Sequence, residues 1–152
     1  TTLAPLKRSE GENPATVVED LRHMMQNKVG IIRTGKLLKE ALKDLDELES
    51  RAKHTSSPGG RIYNPGWHQS LEIQAMIDVS RMCALAALHR EESRGGHTRE
   101  DFPTPDHQKW GKINSRIKQD ESGNMVIDYT RYPPIPEELK VHLDKDDLHE
   151  EE

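Results

Sequence analysis

Apolar residues recur in this chain in three long blocks at helical spacing, separated by short polar links. In the first block, Val17, Val18, Leu21, Met24 and Met25 form a stripe behind Asn13-Pro14. Asn accepts from the free N–H groups of a first turn, and Pro at the first helical position gives up no needed donor. The pattern predicts a helix that ends near Asn27 to Gly30. Ile31-Ile32 then makes a short apolar link. In the second block Leu37, Leu38, Ala41, Leu42, Leu45, Leu48 and Ala52 recur at three and four, behind the cap candidate Thr34. Lys39, Glu40, Lys43, Asp44, Asp46 and Glu47 point outward, so this is the clearest amphipathic helix of the chain. His54 to Gly60 breaks it with a loop.

The third block, predicted from about Trp67 to Arg94 behind Asn64-Pro65-Gly66, does not fit one stripe. Leu71, Ala75, Val79, Met82, Cys83 and Ala86 mark one face. Ile73, Met76, Ile77, Ala84, Leu85, Ala87 and Leu88 spread over much of the remainder. A helix apolar on more than one side is buried from more than one side. Two partner helices cover part of it, so some apolar surface is expected to face a neighbour outside the bundle.

Gly95-Gly96 stops this helix, and Pro103 and Pro105 keep the next segment extended. Alternation around Ile113 and Ile117, the Gly-containing stretch Asp120 to Asn124, and the strand-like run Met125 to Tyr132 predict a hairpin. Pro133-Pro134-Ile135-Pro136 ends it, and Glu137 to Leu143 is read as one or two helical turns. The expected fold is mainly α: a spectrin-like, up-down-up three-helix bundle followed by a small β-hairpin and a flexible acidic tail. Its expected segments are a flexible start (1–12), the bundle (13–105), the hairpin with its short helix (106–143) and an acidic disordered tail (144–152).

Composition changes this picture in one respect. Only 32% of the 152 residues are hydrophobic, an equal share is charged, and aromatics make up 4%. That is little core material for one domain. The net charge of -5 resides in Asp144 to Glu152, where six acids face Lys145 alone. With no basic face announced, nucleic-acid binding is disfavoured. No apolar run approaches the ~20 residues of a membrane span, so no direct membrane insertion is expected. A single cysteine excludes an intrachain disulfide framework and is what a reducing compartment permits. The start, Thr-Thr-Leu-Ala-Pro, has neither an initiator Met nor a signal pattern, which is expected of an excised or processed piece and is compatible with a trimmed natural terminus.

Candidate chemistry centres on Arg90-Glu91-Glu92-Ser93-Arg94-Gly95-Gly96-His97-Thr98-Arg99-Glu100-Asp101-Phe102-Pro103. The glycines permit a left-handed turn and close backbone approach. Arg94 and Arg99 can fork onto carboxylates or last-turn carbonyls. On composition alone, an ordinary salt-bridged helix cap is the preferred reading of such a stretch. His89, Glu92, His97, Asp101 and His107 lack the second helix motif or the His/Cys set that a metal centre requires. Cys83, mid-helix on an apolar face, reads as a small buried hydrophobe rather than a nucleophile. Tyr63 and Trp67 read as packing anchors. Neither GxGxxG nor GxxxxGK[ST] is present.

The run Glu92 to Pro103 resembles the signature in the helical domain of succinate dehydrogenase and fumarate reductase flavoprotein subunits. Leu21 to Thr34 is similar to that family's first helix and its link, Leu37 to Leu48 to its second helix, and Asp106 through Pro134 to its C-terminal hairpin. The similarity covers roughly Val17 to Lys140. L-aspartate oxidase shares the Glu-Ser-Arg-Gly-Gly-His element. The lead-in Tyr63-Asn64-Pro65-Gly66-Trp67-His68, the continuation His97-Thr98-Arg99-Glu100-Asp101 and the hairpin ending favour the succinate dehydrogenase side, and Asn64 to His68 resembles actinobacterial versions.

The resemblance implies a parent subunit in which FAD, bound by a separate domain, exchanges hydride with succinate or fumarate. Electrons then pass through an iron-sulfur subunit to quinone. It implies no catalytic, cofactor-binding or metal-binding residue in this chain, with FAD confined to the parent subunit. Glu92, Ser93, Arg94, Gly95, Gly96, His97 and Arg99 are expected at a domain or subunit interface. The implied partners are the FAD and capping domains and the iron-sulfur subunit, at the cytoplasmic side of the bacterial inner membrane as a peripheral subunit. Two other readings stay open: the C-terminal domain of L-aspartate oxidase, and a non-catalytic helical interaction module.

Overall fold

A computed structural model of the chain describes residues 2–140 and 142. The expected acidic tail, 144–152, and Leu143 lie outside the described residues. The chain forms two compact units, residues 1–103 and 104–152.

The first unit is built on three helices, α2 (Pro14–Lys28), α3 (Gly35–Ala52) and α4 (Pro65–His89), each packed on the other two. The three predicted caps are in place. Asn13 accepts from the Ala15 amide at 3.0 Å, Thr34 from Leu37 at 3.2 Å, and Asn64 from Trp67 at 3.0 Å. Val17, Val18, Leu21 and Met24 of α2 meet Leu38, Ala41, Leu45 and Leu48 of α3 and Ile73, Ile77, Ala84 and Ala87 of α4 in one buried cluster. Full burial of a Leu or Ile side chain stabilises by about 1.5–3 kcal/mol. Charged pairs lie over this core: Lys28 reaches Asp44 at 2.7 Å, and Arg81 reaches Asp46 at 2.6 Å and Glu49 at 3.0 Å.

The two apolar faces of α4 have different fates. Its Ile73, Ile77, Ala84 and Ala87 face is buried, whereas Leu71, Ala75, Val79, Met82 and Cys83 of the other are exposed. Cys83 therefore departs from the expected buried position. The reason is geometric: α2 and α3 cover one side of α4, and the cysteine lies on the other.

Ahead of Asn13, where the apolar pattern gives no element, Ala4–Lys7 forms a one-turn helix, α1. Its Pro5 is buried and Pro5 O accepts from the Ser57 amide at 2.9 Å. Arg8 donates to Thr55 O at 2.7 Å, and Trp67 Nε1 donates to Thr2 O at 2.8 Å. Arg51 on α3 gathers Glu12 and Asp20. A further element was absent from the pattern: β1 (Ile32–Arg33) pairs in parallel with β2 (Thr98–Arg99).

The second unit contains the hairpin, β3 (Ile113–Gln119) antiparallel to β4 (Met125–Arg131), with Ile117 opposite Ile127. Asp120 closes its turn, accepting from the amides of Ser122 at 2.9 Å and Asn124 at 2.8 Å. Gly123 there has φ +86, a conformation that glycine adopts without strain. Trp110 is buried and meets Tyr129 edge-on at 5.8 Å. Glu137–Lys140 forms the short helix α5.

Candidate functional site

Helix α4 ends at His89 rather than near Arg94, because Arg90 turns extended and sends the chain back across the helix end. A terminal helical turn leaves carbonyls without N–H partners. Arg99 supplies the missing donors: its Nη1 lies 2.9 Å from Ala87 O, 3.0 Å from Leu88 O and 3.2 Å from Arg90 O. Its other edge grips Asp101, with Nε and Nη2 each 2.8 Å from a carboxylate oxygen. The Phe102 ring lies 5.0 Å below the guanidinium carbon, within cation–π range. Arg99 is only 2% exposed, so the planar guanidinium's many donors are needed to satisfy this ion away from water.

Asp101 carries the contact onward. Its second oxygen accepts from the Gly35 amide at 2.9 Å, in the first turn of α3, where negative charge is favoured. The Arg99 hydrogen bonds, aided by that amide, hold the Asp101 carboxyl well below the usual carboxylate range. Gly35 has a steric reason as well. A Cβ there would sit 3.0 Å from Asp101 Oδ2 and 3.2 Å from Arg99 Nη2.

Glu92 is fully buried, and both flanking arginines turn toward it: Arg90 Nη1 at 2.5 Å and Arg94 Nε at 3.1 Å from Oε1. Ser93 Oγ accepts from the Arg99 amide and donates to Phe102 O, both at 2.8 Å. Arg94 and His97 exchange backbone bonds of 2.8 and 3.0 Å around Gly95-Gly96. Gly95 has φ +56, as the first central position of such a turn requires, while Gly96 is not in the left-handed region. A Cβ at either position would meet nothing within 4 Å. The expected left-handed turn is present, but the expected close backbone approach to these glycines is not made within this chain.

His97 joins the turn to the α2–α3 link. Its Nε2 faces Arg90 O at 3.0 Å and its Nδ1 faces Arg33 Nη1 at 2.6 Å. A carbonyl only accepts and a guanidinium only donates, so the imidazole must be neutral, with its proton on Nε2. Burial, together with the positive charge of Arg33, Arg99 and Arg90, pushes the His97 pKa down and outweighs the Arg90 carbonyl bond. Backbone bonds from Thr98 to Ile31 O at 3.2 Å and from Glu100 to Arg33 O at 2.9 Å complete the β1–β2 seam.

All seven residues expected at an interface thus lie in one turn, in three settings. Glu92 and Arg99 are buried in the chain's own clamp, Ser93 and His97 are half-buried, and Arg94, Gly95 and Gly96 are exposed. The clamp also depends on Arg33, Gly35 and Asp101. Gly35, directly behind a Thr cap, was the available signal, because glycine is a poor choice inside a helix unless space is short. Chemically, the arrangement fixes a backbone turn. Guanidinium groups hold both carboxylates, and the one imidazole is engaged at both nitrogens. Among the described residues, no three His, Cys, Asp or Glu side chains converge as a metal site requires. Outside the clamp, Trp67 is half-buried and bonded, as a packing anchor should be, but Tyr63 is 98% exposed and anchors nothing here.

Residues 18–147, spanning both units and the whole clamp, match the family described as Fumarate reductase flavoprotein C-term. The chain belongs to that family. It is 37% identical over 107 residues to the fumarate reductase flavoprotein subunit of Helicobacter pylori, covering 69% of this chain and 15% of that protein. With the fumarate reductase flavoprotein subunit of Mycobacterium tuberculosis it shares 30% over 130 residues, 82% of this chain and 22% of that one. The structure of Mycobacterium smegmatis Sdh1 in complex with UQ1 superposes with a TM-score of 0.86 at 36% identity, over 98% of this chain and 26% of that chain. The chain therefore spans about a quarter or less of the length of these relatives. The fold alone extends further, to an adenosine-5-phosphosulfate reductase, at 18% identity and a TM-score of 0.74.

Proposed function

We propose that this chain is the bracing and docking region of an FAD-dependent succinate dehydrogenase or fumarate reductase flavoprotein subunit. The whole subunit interconverts succinate and fumarate and exchanges electrons with quinone through an iron-sulfur subunit. It is a peripheral subunit at the cytoplasmic side of a bacterial inner membrane; among the described residues no helix is long and apolar enough to cross one. The segments that do this work are the bundle (13–105) and the hairpin with its short helix (106–143).

FAD does not fit the residues present. Its pyrophosphate needs free amides at a glycine-rich helix N-terminus. Here no GxGxxG run leads into any of the three long helices, Asn13, Thr34 and Asn64 each cap one first-turn amide, and α2 and α4 begin with Pro. The paired glycines stand in a surface turn instead. The flavin and the dicarboxylate are accordingly assigned to the FAD and capping domains of the parent chain, and no catalytic step is assigned to this region.

The observation that carries this reading is the bare face of α4. Val79 is 57% exposed and Met82 39%, in line with exposed Leu71, on a helix whose opposite side is the core. A stripe of that kind calls for a covering surface. The exposed tip Arg94-Gly95-Gly96 is assigned to the same docking role. The test places Val79→Asp in the full-length subunit and measures bound FAD and co-purifying iron-sulfur subunit. Both are expected to fall, and wild-type levels of both would overturn the reading.

A further inference from the structure

The lead-in to α4 holds two large apolar side chains in solvent, clear of most of the described residues. Ile62 is 81% exposed and Tyr63 98%. Single exposed apolar residues are ordinary, but these two are consecutive, and Tyr63 has φ +53. A bulky L-residue there is a true outlier, because its Cβ crowds its own backbone. Asn64 enforces the conformation. Its Oδ1 accepts from the Trp67 amide at 3.0 Å and from Ser57 Oγ at 3.3 Å, while its Nδ2 donates to Gly60 O at 3.1 Å and Ser57 O at 3.3 Å. The loop is therefore pinned on both sides of Tyr63.

The Asn64 bonds hold the loop in this conformation, but among the described residues the Tyr63 side chain itself packs against almost nothing. At 98% exposure the ring buries no area, and Gly or Asn would take the left-handed conformation more easily. Such outliers persist where the surrounding structure holds them, and they cluster at functional sites. We infer that Ile62-Tyr63 is an anchor which inserts into an apolar pocket on the remaining part of the parent flavoprotein. This rests on the function proposed above and adds a second attachment point to it. The occupant is chosen by length: about three-quarters of the Mycobacterium smegmatis chain lies outside the region matched here, in which 98% of this chain is superposed. Tyrosine suits the task, with a large rigid ring for the pocket and a hydroxyl for a polar group at its rim.

The anchor makes a prediction of opposite sign in two settings. Tyr63→Asn relieves the strain, so the thermal midpoint of this chain alone rises by about 2–4 °C. In the full-length subunit the same change removes the anchor, so the midpoint falls by a similar amount and flavin is lost at lower temperature. Ile62→Ser lowers the subunit's midpoint and leaves this chain's unchanged. A Tyr63→Asn midpoint that falls in this chain, or that does not fall in the subunit, overturns the inference. Val79→Asp, tested in parallel, separates the two claims. If it destabilises the subunit while Tyr63→Asn does not, the anchor is wrong and the docking function stands. If Val79→Asp is harmless there, the docking function itself fails.

Discussion

Arg99 and Asp101 are two residues apart and meet edge to edge, two nitrogens on two oxygens at 2.8 Å each. Arg99 spends its remaining nitrogen on the carbonyl end of α4, and Asp101 reaches the amide end of α3. One ion pair thus ties two helix termini of opposite polarity. Arg99→Ala leaves the α4 carbonyls without their donor while Asp101, 37% exposed, returns to water, so the loss is about 1.5–3 kcal/mol, that of a hydrogen bond to a charged group. Urea unfolding of this chain is expected to show that loss. Arg99→Lys recovers only part of it, because an ammonium cannot span the carboxylate and the carbonyls together.

Gly35→Ala is expected to destabilise although alanine is the better helix former, since the new methyl would press on Asp101 and Arg99. In an Asp101→Ala background the same change becomes neutral or favourable. Additive effects in this double-mutant cycle would show that crowding at the clamp is not the cause.

His97 sets an acid limit. Its pKa is lowered in the folded chain, so between that value and the ordinary one, about 6.5, the unfolded chain holds more protons. The stability it contributes is complete above about pH 6.5 and is lost as pH falls below that value. His97→Gln keeps one donor and one acceptor but cannot titrate. Thermal midpoints measured from pH 8 to 5 are expected to fall less steeply in that variant.

Asp128 offers a second titration, in the hairpin. Hydrogen bonds from Arg116 and Lys118 hold its pKa at about 2, below the ordinary 3.8. The sign is that of a carboxylate with a depressed pKa: the contribution is present above the ordinary value and lost as pH falls through about 2. A carboxyl-carbon NMR titration should place the midpoint there, and Arg116→Ala should move it up.

Much of the fold was legible because its signals are local. Asn13, Thr34 and Asn64 announce helix starts by residue type, and alternation around Ile113 and Ile117 announces the hairpin. The two-sided apolar character of α4 pointed correctly to uncovered surface. Periodicity cannot say which of two apolar faces wins the core, and so Cys83 was placed inside. The β1–β2 seam was hidden because two residues carry no alternation. The end of α4 was overrun because Glu92 looks like a surface charge until two arginines, Arg90 and the exposed Arg94, are known to close over it. Long-range partners such as Arg33 and Gly35 leave almost no local trace.

The spacing of those partners has a temporal meaning. Arg33 meets His97 across 64 positions, and Gly35 meets Asp101 across 66. Contacts so distant in sequence carry a loop-closure cost that the intervening helices must already have offset. That cost predicts a clamp that closes only after the helices have assembled. Substitutions at Arg99 or Gly35 are then expected to speed unfolding and to leave the folding rate nearly unchanged, which stopped-flow kinetics would check.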